Sequence, residues 1–123
     1  MIRKTLLAVP LLALAGPALA EPFTMFIYET PEDIALRADR TEAGAAYWAE
    51  WAAFSAALEQ SGTVRGGAPL AITGADGVTL SGYFILEAPS LAEAEALAAL
   101  APTATRGGQT LVVPHLAVPG MSQ

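Results

Sequence analysis

The chain has 123 residues, contains no cysteine and carries a formal charge of −6 at pH 7. The absence of cysteine excludes disulfide bonds and cysteine-ligated metal sites. The acidic balance disfavours nucleic acids and anionic membrane surfaces as partners, because both repel a negatively charged protein.

The N-terminal 20 residues have the three regions of a secretory signal peptide. Arg3 and Lys4 precede an apolar run over residues 6–15, followed by a small-residue cleavage site that ends at Ala20. This run is shorter than the ~20 residues of a membrane-spanning helix, which disfavours an uncleaved anchor. We therefore expect cleavage after Ala20 and a single periplasmic or secreted domain at residues 21–123. That domain would have 103 residues and, without the two basic residues of the leader, a formal charge of −8.

The first elements predicted for the domain are a short strand and a long helix. Residues 23–29 are aromatic and branched, which predicts a buried, central strand. A Thr-Pro pair after this strand has the cap chemistry of a short helix that extends to Arg40. Residues 42–61 lack proline and predict a helix that Gly62 ends. Its core-facing stripe has i, i+4, i+7, i+11 spacing and comprises Tyr47, Trp51, Phe54 and Leu58.

Two further strands are predicted to follow this helix. Residues 63–72 contain two glycines and a proline, which predicts a bulged or edge strand. A turn over residues 73–77 then leads to a strand over residues 78–87. Strict alternation directs Val78, Leu80, Gly82, Phe84 and Leu86 to the core, and Thr79, Ser81, Tyr83, Ile85 and Glu87 to the opposite face.

A second helix and a last strand complete the domain. Ser90 and Glu93 have capping-box spacing, so a helix should begin at Leu91 and end before Pro102. Its apolar stripe comprises Leu91, Ala94, Leu97, Ala98 and Ala101. Residues 103–108 are predicted to form a loop and residues 109–116 a strand.

The resulting order βαββαβ predicts an α+β, ferredoxin-like fold. In this fold a four-stranded antiparallel sheet carries two helices on one face. The uncovered face, which includes Tyr83 and Ile85, would pair with a second copy of the chain. We therefore expect a homodimer with its two sheets face to face.

Several stretches resemble the YCII-related family of small ferredoxin-like proteins, which includes the DGPF proteins. They are FIYE at residues 26–29, YWAEWAAF at 47–54, GGAPL at 66–70, GYFILEA at 82–88 and GGQTLVVP at 107–114. The resemblance covers most of the domain and implies a dimeric α+β barrel. Members proposed to be enzymes use a His-Asp pair, but Trp51 stands at the position of that histidine and no aspartate follows Leu70. The Asp-Gly-Pro-Phe segment is also missing, so no acid–base pair is carried over.

His115 is the candidate catalytic residue, because it is the one histidine in the chain and ordinary histidines titrate near neutrality. As a general base it would need an orienting carboxylate, such as Glu29 or Glu87. The alternative is a structural residue at the end of a strand. One histidine and scattered carboxylates offer no metal-ligand spacing, and no motif predicts a cofactor.

Two arginines and four ring-bearing side chains are candidates for ligand binding. Arg65 and Arg106 each precede two glycines and could present guanidinium and backbone N–H groups to an anion, or could be solvated charges beside bends. Tyr28, Trp51, Tyr83 and His115 would line an apolar cleft with polar tips, or only pack in the core. Trp48 is predicted at the margin of the buried face, where it could contact a partner.

These features favour an exported homodimer that binds a small apolar or weakly anionic molecule. The predicted ligand-binding residues are Tyr28, Trp51, Arg65, Tyr83 and His115. One alternative is a cofactor-independent lyase or monooxygenase that uses His115 with a nearby carboxylate. Another is an interaction module that binds a second exported protein through Trp48. The sequence leaves open whether the protein is an enzyme.

Overall fold

The computed structural model describes residues 19–121, so nearly all of the predicted signal peptide lies outside the described residues. Strand β1 begins at Glu21, directly after the predicted cleavage site. The elements in chain order are β1 (Glu21–Glu29), α1 (Pro31–Leu36), α2 (Glu42–Ser61), β2 (Val64–Pro69), β3 (Thr79–Ala88), α3 (Leu91–Ala98), a 3₁₀ turn (Pro102–Thr105) and β4 (Gln109–Pro114).

The four strands form one antiparallel sheet in the order β2-β3-β1-β4. Strand β1 pairs with both β3 and β4, which confirms its predicted central position. Strand β2 lies at the edge and has a register shift between Val64 and Gly66, as the glycines predicted. The strand order and the two main helices confirm the predicted ferredoxin-like α+β fold.

The core lies between one face of the sheet and the helices α2 and α3. Alternate residues of β1 point into it, namely Phe23, Met25, Ile27 and Glu29, and none is more than 4% exposed. The three apolar ones pack with Phe54 and Leu58 of α2, Leu86 of β3, Ala94 and Ala98 of α3, and Val112 of β4. Each large apolar side chain buried in this way stabilises the fold by roughly 2 kcal/mol.

The chemistry of its two ends determines where α2 begins and ends. The Thr41 hydroxyl accepts a hydrogen bond from the Ala43 N–H at 3.3 Å. At the other end Gly62 adopts a left-handed conformation with φ of 75°, and its N–H donates to the Glu59 carbonyl. The predicted bounds of this helix are confirmed. Of its predicted core stripe, Tyr47, Phe54 and Leu58 are buried and Trp51 is half-buried.

One prediction about the faces of β3 was wrong. Gly82 pairs with Ile27 and Leu80 pairs with Tyr28, so Ser81 is an extra residue that forms a β-bulge. Ser81 is therefore fully buried, with its hydroxyl 3.3 Å from the Ile27 carbonyl. Leu80 lies opposite Tyr28 on the outer face of the sheet, away from the helices. Strict alternation had assigned Leu80 to the core face and Ser81 to the outer face.

Several element boundaries also differ from the predictions. Strand β2 ends at Pro69, and residues 70–78 form a connection longer than the turn predicted at 73–77. Helix α3 ends at Ala98, and the N–H groups of Leu100 and Ala101 bond to carbonyls three residues back, as in a 3₁₀ turn. Leu91, predicted in the core, is 39% exposed. The last strand ends at Pro114, and a 3₁₀ turn precedes it where a loop was predicted.

Among residues 19–121, no helix combines the length and apolar character that a bilayer crossing requires.

Candidate functional site

A cavity of about 310 Å³ lies between α2 and the β2–β3 edge of the sheet, on the helix-covered face. Helix α2 contributes Trp48, Trp51, Ala52 and Ser55 to its walls, and the strands contribute Ile27, Gly67, Pro69 and Phe84 among others. Trp51 and Phe84 of this wall each pack edge to face on the buried Phe54, with ring centroids 5.8 Å and 5.7 Å away. This geometry is favourable for aromatic pairs, so the wall is preorganised.

The polar part of the wall is a buried carboxylate with two partners. Glu29 is 1% exposed, and its Oε2 accepts a hydrogen bond from the Tyr47 hydroxyl at 2.7 Å. Its Oε1 lies 3.4 Å from Nη2 of Arg37. The same guanidinium donates to the backbone carbonyls of Leu70 and Ser81, each at 2.6 Å. These contacts compensate the negative charge of the carboxylate and hold the arginine in one orientation.

Irregular backbone brings these groups together. Glu29 occupies the last core-facing position of β1, and α1 turns the chain so that Arg37 returns to it. The Leu70 carbonyl follows the end of β2, and Ser81 is the bulged residue of β3. Both carbonyls accept from Arg37 at the point where the regular pairing of β2 with β3 ends.

Burial is the main reason that the pKa of Tyr47 is raised to about 12; Arg37 opposes the shift, and the adjacent Glu29 carboxylate adds to it. The Tyr47 phenol is therefore protonated at neutral pH. It acts as a hydrogen-bond donor to Glu29 and not as a base.

A second charged cluster lies against the other side of Tyr47. The Arg106 guanidinium is 6.0 Å from the centroid of the Tyr47 ring. Its nitrogens lie 3.1 Å from Asp33 Oδ1 and 2.6 Å from Glu50 Oε2, which ties α1 and α2 to the segment before β4. Burial raises the pKa of Asp33 despite the arginine, and Asp33 Oδ2 meets no hydrogen-bond partner among residues 19–121.

The cavity includes some of the predicted site residues. Trp51 and Tyr83 line it, and so does Trp48, which is 41% exposed. Tyr83 pairs with Phe26 and Ala68, and alternation directs its side chain to the outer face, so its backbone borders the cavity.

Tyr28 and His115 lie on the outer face of the sheet, away from the cavity. Tyr28 is opposite Leu80 and Gln109. The His115 ring is 2.7 Å from the Thr24 hydroxyl. The sheet therefore separates these two predicted residues from Trp51.

The carboxylates considered as partners of His115 have other contacts. Glu29 lies on the helix side of the sheet with Tyr47 and Arg37. Glu87 lies 3.2 Å from Arg65 Nε. Arg65 lines a separate depression of about 410 Å³, which shares Ser55, Gly67 and Phe84 with the cavity. Both arginines that precede glycine pairs are thus bonded to carboxylates.

Sequence reasoning did not place Arg37, Tyr47 and Glu29 in one site. A signal was present in β1, where Glu29 continues the core-facing alternation of Phe23, Met25 and Ile27. An acid in core register needs a cation or hydrogen-bond donors, because a lone buried charge is strongly unfavourable. The signal does not say which cation, since Arg37 reaches Glu29 only through the turn of α1.

Residues 19–121 bring no three histidine or acidic side chains together in the manner of a metal site.

Comparison with known proteins identifies the family of the chain. The model of the YCII-related domain matches residues 22–114. Among solved structures, the chain is similar to the 5-chloro-2-hydroxyhydroquinone dehydrochlorinase of Burkholderia phenoliruptrix AC1100, solved with 2,5-dihydroxybenzoquinone. The two share 23% sequence identity, the match covers 75% of this chain and 90% of that chain, and the TM-score is 0.49. No curated protein matches the chain. Because the family model spans nearly all of the described domain, the chain belongs to the YCII-related domain family.

Proposed function

We propose that this protein is an exported homodimer that binds a small, largely apolar molecule in the cavity between α2 and the β2–β3 edge. The observation that supports the proposal is the cavity itself. Its volume of about 310 Å³ lies in the range of small-molecule sites, and its walls are aromatic with a few fixed polar groups. Such walls suit a flat ring system.

Trp51 adds a polar feature to this wall. Its Nε1–H is buried and meets no acceptor among residues 19–121. Buried donors in native proteins nearly always have a partner, such as an ordered water or a ligand. An acceptor on a bound molecule, after a small shift of the ring, would supply one.

The experiment blocks the cavity from the α2 side and measures ligand binding. Ala52 and Ala53 are both exposed on α2, but only Ala52 lines the cavity, so Ala52→Phe and Ala53→Phe form a matched pair. We expect naphthalene-2-carboxamide to bind the wild type and Ala53→Phe equally in calorimetry and to lose measurable affinity for Ala52→Phe. Equal binding to all three proteins would place the site elsewhere.

The outer face of the sheet supports the proposal of a homodimer. Strand β4 presents Leu111 and Val113 there, 50% and 38% exposed. Phe26 and Ile85 of the neighbouring strands lie on the same face and are half-buried. A second copy is the occupant that fits, because two twisted sheets stack about 10 Å apart through such apolar faces. Light scattering should give twice the protomer mass.

Export rests on the composition of residues 1–20 and on the start of β1 at Glu21. Mass spectrometry of the protein recovered from the periplasm or medium should give a chain that begins at Glu21. Recovery of the full-length chain from the cytoplasm alone would contradict export and leave the binding proposal intact.

A further inference from the structure

We infer that the Glu29–Arg37 ion pair makes the cavity selective for uncharged ligands. The ligand class would then be flat aromatic molecules with a neutral acceptor group, such as an amide or a ketone, and not carboxylates or amines. This inference rests on the proposed function and specifies its ligand.

The charges in the cavity wall compensate one another. Two of the residues that line it, Glu29 and Arg37, form an ion pair in which Oε1 lies 3.4 Å from Nη2. Tyr47, the other titratable polar group facing Glu29, is neutral because its pKa is about 12. A charged ligand would lose its hydration in this apolar space without meeting an uncompensated counter-charge, which is unfavourable for either sign.

The guanidinium of Arg37 already has several hydrogen-bond acceptors. All three of its guanidinium nitrogens already donate, Nη1 to Leu70 O, Nη2 to Ser81 O and Glu29, and Nε to the Tyr47 hydroxyl at 3.4 Å. A ligand carboxylate normally binds arginine through two parallel N–H donors. It could form that pair here only by displacing existing partners.

The neighbouring arginine does not change this balance. Arg106 lies against the Tyr47 ring, but Asp33 and Glu50 already hold its guanidinium. The Glu50 carboxylate raises the pKa of Arg106, as expected for a cation with bound counter-charges.

The test uses four molecules with one ring system and different charge, namely naphthalene, naphthalene-2-carboxamide, naphthalene-2-carboxylate and 2-naphthylmethylammonium. Calorimetry at pH 7 should show binding of the hydrocarbon and the amide to the wild type. The carboxylate and the ammonium should bind at least about tenfold more weakly, because each pays for desolvation without a counter-charge.

Two substitutions should reverse this selectivity in opposite directions. Glu29→Gln keeps the size of the side chain and an acceptor for the Tyr47 hydroxyl, but leaves the Arg37 charge unpaired. The affinity for naphthalene-2-carboxylate should therefore increase at least about tenfold relative to that for the amide. Arg37→Gln leaves Glu29 unpaired and should favour the ammonium. Glu95→Gln, at an exposed position of α3, is the control for net charge and should leave the order unchanged.

The outcomes distinguish this inference from the proposed function. If the wild type binds the carboxylate or the ammonium as tightly as the amide, the inference is wrong although the cavity binds ligands. It is also wrong if a folded Glu29→Gln or Arg37→Gln protein binds naphthalene but keeps the wild-type order of the charged ligands. If none of the four molecules binds the wild type, the proposed function and the inference both fail.

Discussion

Glu29 illustrates how one buried charge depends on its partners. Removing one member of a buried ion pair typically destabilises a protein by about 3–5 kcal/mol, because the other charge remains buried. Glutamine at position 29 limits that effect, since it still accepts the hydrogen bond that the Tyr47 hydroxyl donates at 2.7 Å. This is the reason that an amide, and not alanine, is the informative substitution.

Asp33 provides a pH-dependent prediction at the residue scale. Burial raises its pKa above the ordinary value of 3.8, with Glu29 and Glu50 acting in the same direction and Arg106 opposing. The folded chain therefore binds this proton more tightly than the unfolded chain does. The free energy of unfolding should fall as the pH rises from 3.8 through the raised pKa. Above the raised pKa it should show no further change from this group.

Asp33→Asn removes the contribution of this titrating carboxyl to the free energy of unfolding and keeps an acceptor for Arg106. Urea unfolding of both proteins between about pH 3.5 and 7 should show the stability of the variant, relative to the wild type, increasing with pH and then levelling off. A relative stability that decreases with pH would mean that Arg106 lowers the pKa of Asp33 below its ordinary value. The comparison with a variant cancels the titration of the other carboxylates.

At the scale of elements, local signals were sufficient for the long helix and insufficient for the edge of the sheet. Thr41 and Gly62 supply caps that act within a few residues, so the bounds of α2 follow from composition and caps. The faces of β3 depend on the bulge at Ser81, and that bulge exists in the pairing with β1. A period-two pattern does not record an inserted residue, and this is why Leu80 and Ser81 were assigned to the wrong faces.

Gly62 ends α2 in a left-handed conformation. Its φ of 75° is unfavourable for any residue with a Cβ, although there is open space around it. Gly62→Ala should therefore destabilise the protein by about 1–2 kcal/mol through backbone strain alone.

The matched control is Gly74→Ala, where the site is equally open and φ is not positive. Chemical denaturation should show little change for this variant. If both variants lose the same free energy of unfolding, the left-handed conformation of Gly62 is not the cause of the destabilisation.

For the whole molecule, the prediction concerns the outer face of the sheet. Leu111→Glu would place a buried charge in the proposed dimer, so light scattering should shift from twice the protomer mass to the protomer mass. Leu100→Glu is the control, because Leu100 is 67% exposed in the turn after α3. A wild type that has the protomer mass at micromolar concentration would contradict the dimer.

The sequence alone was sufficient to predict the order of the elements, the central position of β1, the bounds of α2 with its cap at Gly62, and the family. These features depend on residue patterns and on contacts within a few residues. The sequence grouped Trp51 with Tyr28, Tyr83 and His115 in one cleft, whereas Trp51 borders the cavity on the helix side of the sheet. The tertiary structure was needed to show that Glu29, Arg37 and Tyr47 meet, and that Tyr28 and His115 lie across the sheet from them. The physical reason is that these contacts join distant segments through a bulge, a helical turn and a strand end, where a shift of one residue moves a side chain to the other face.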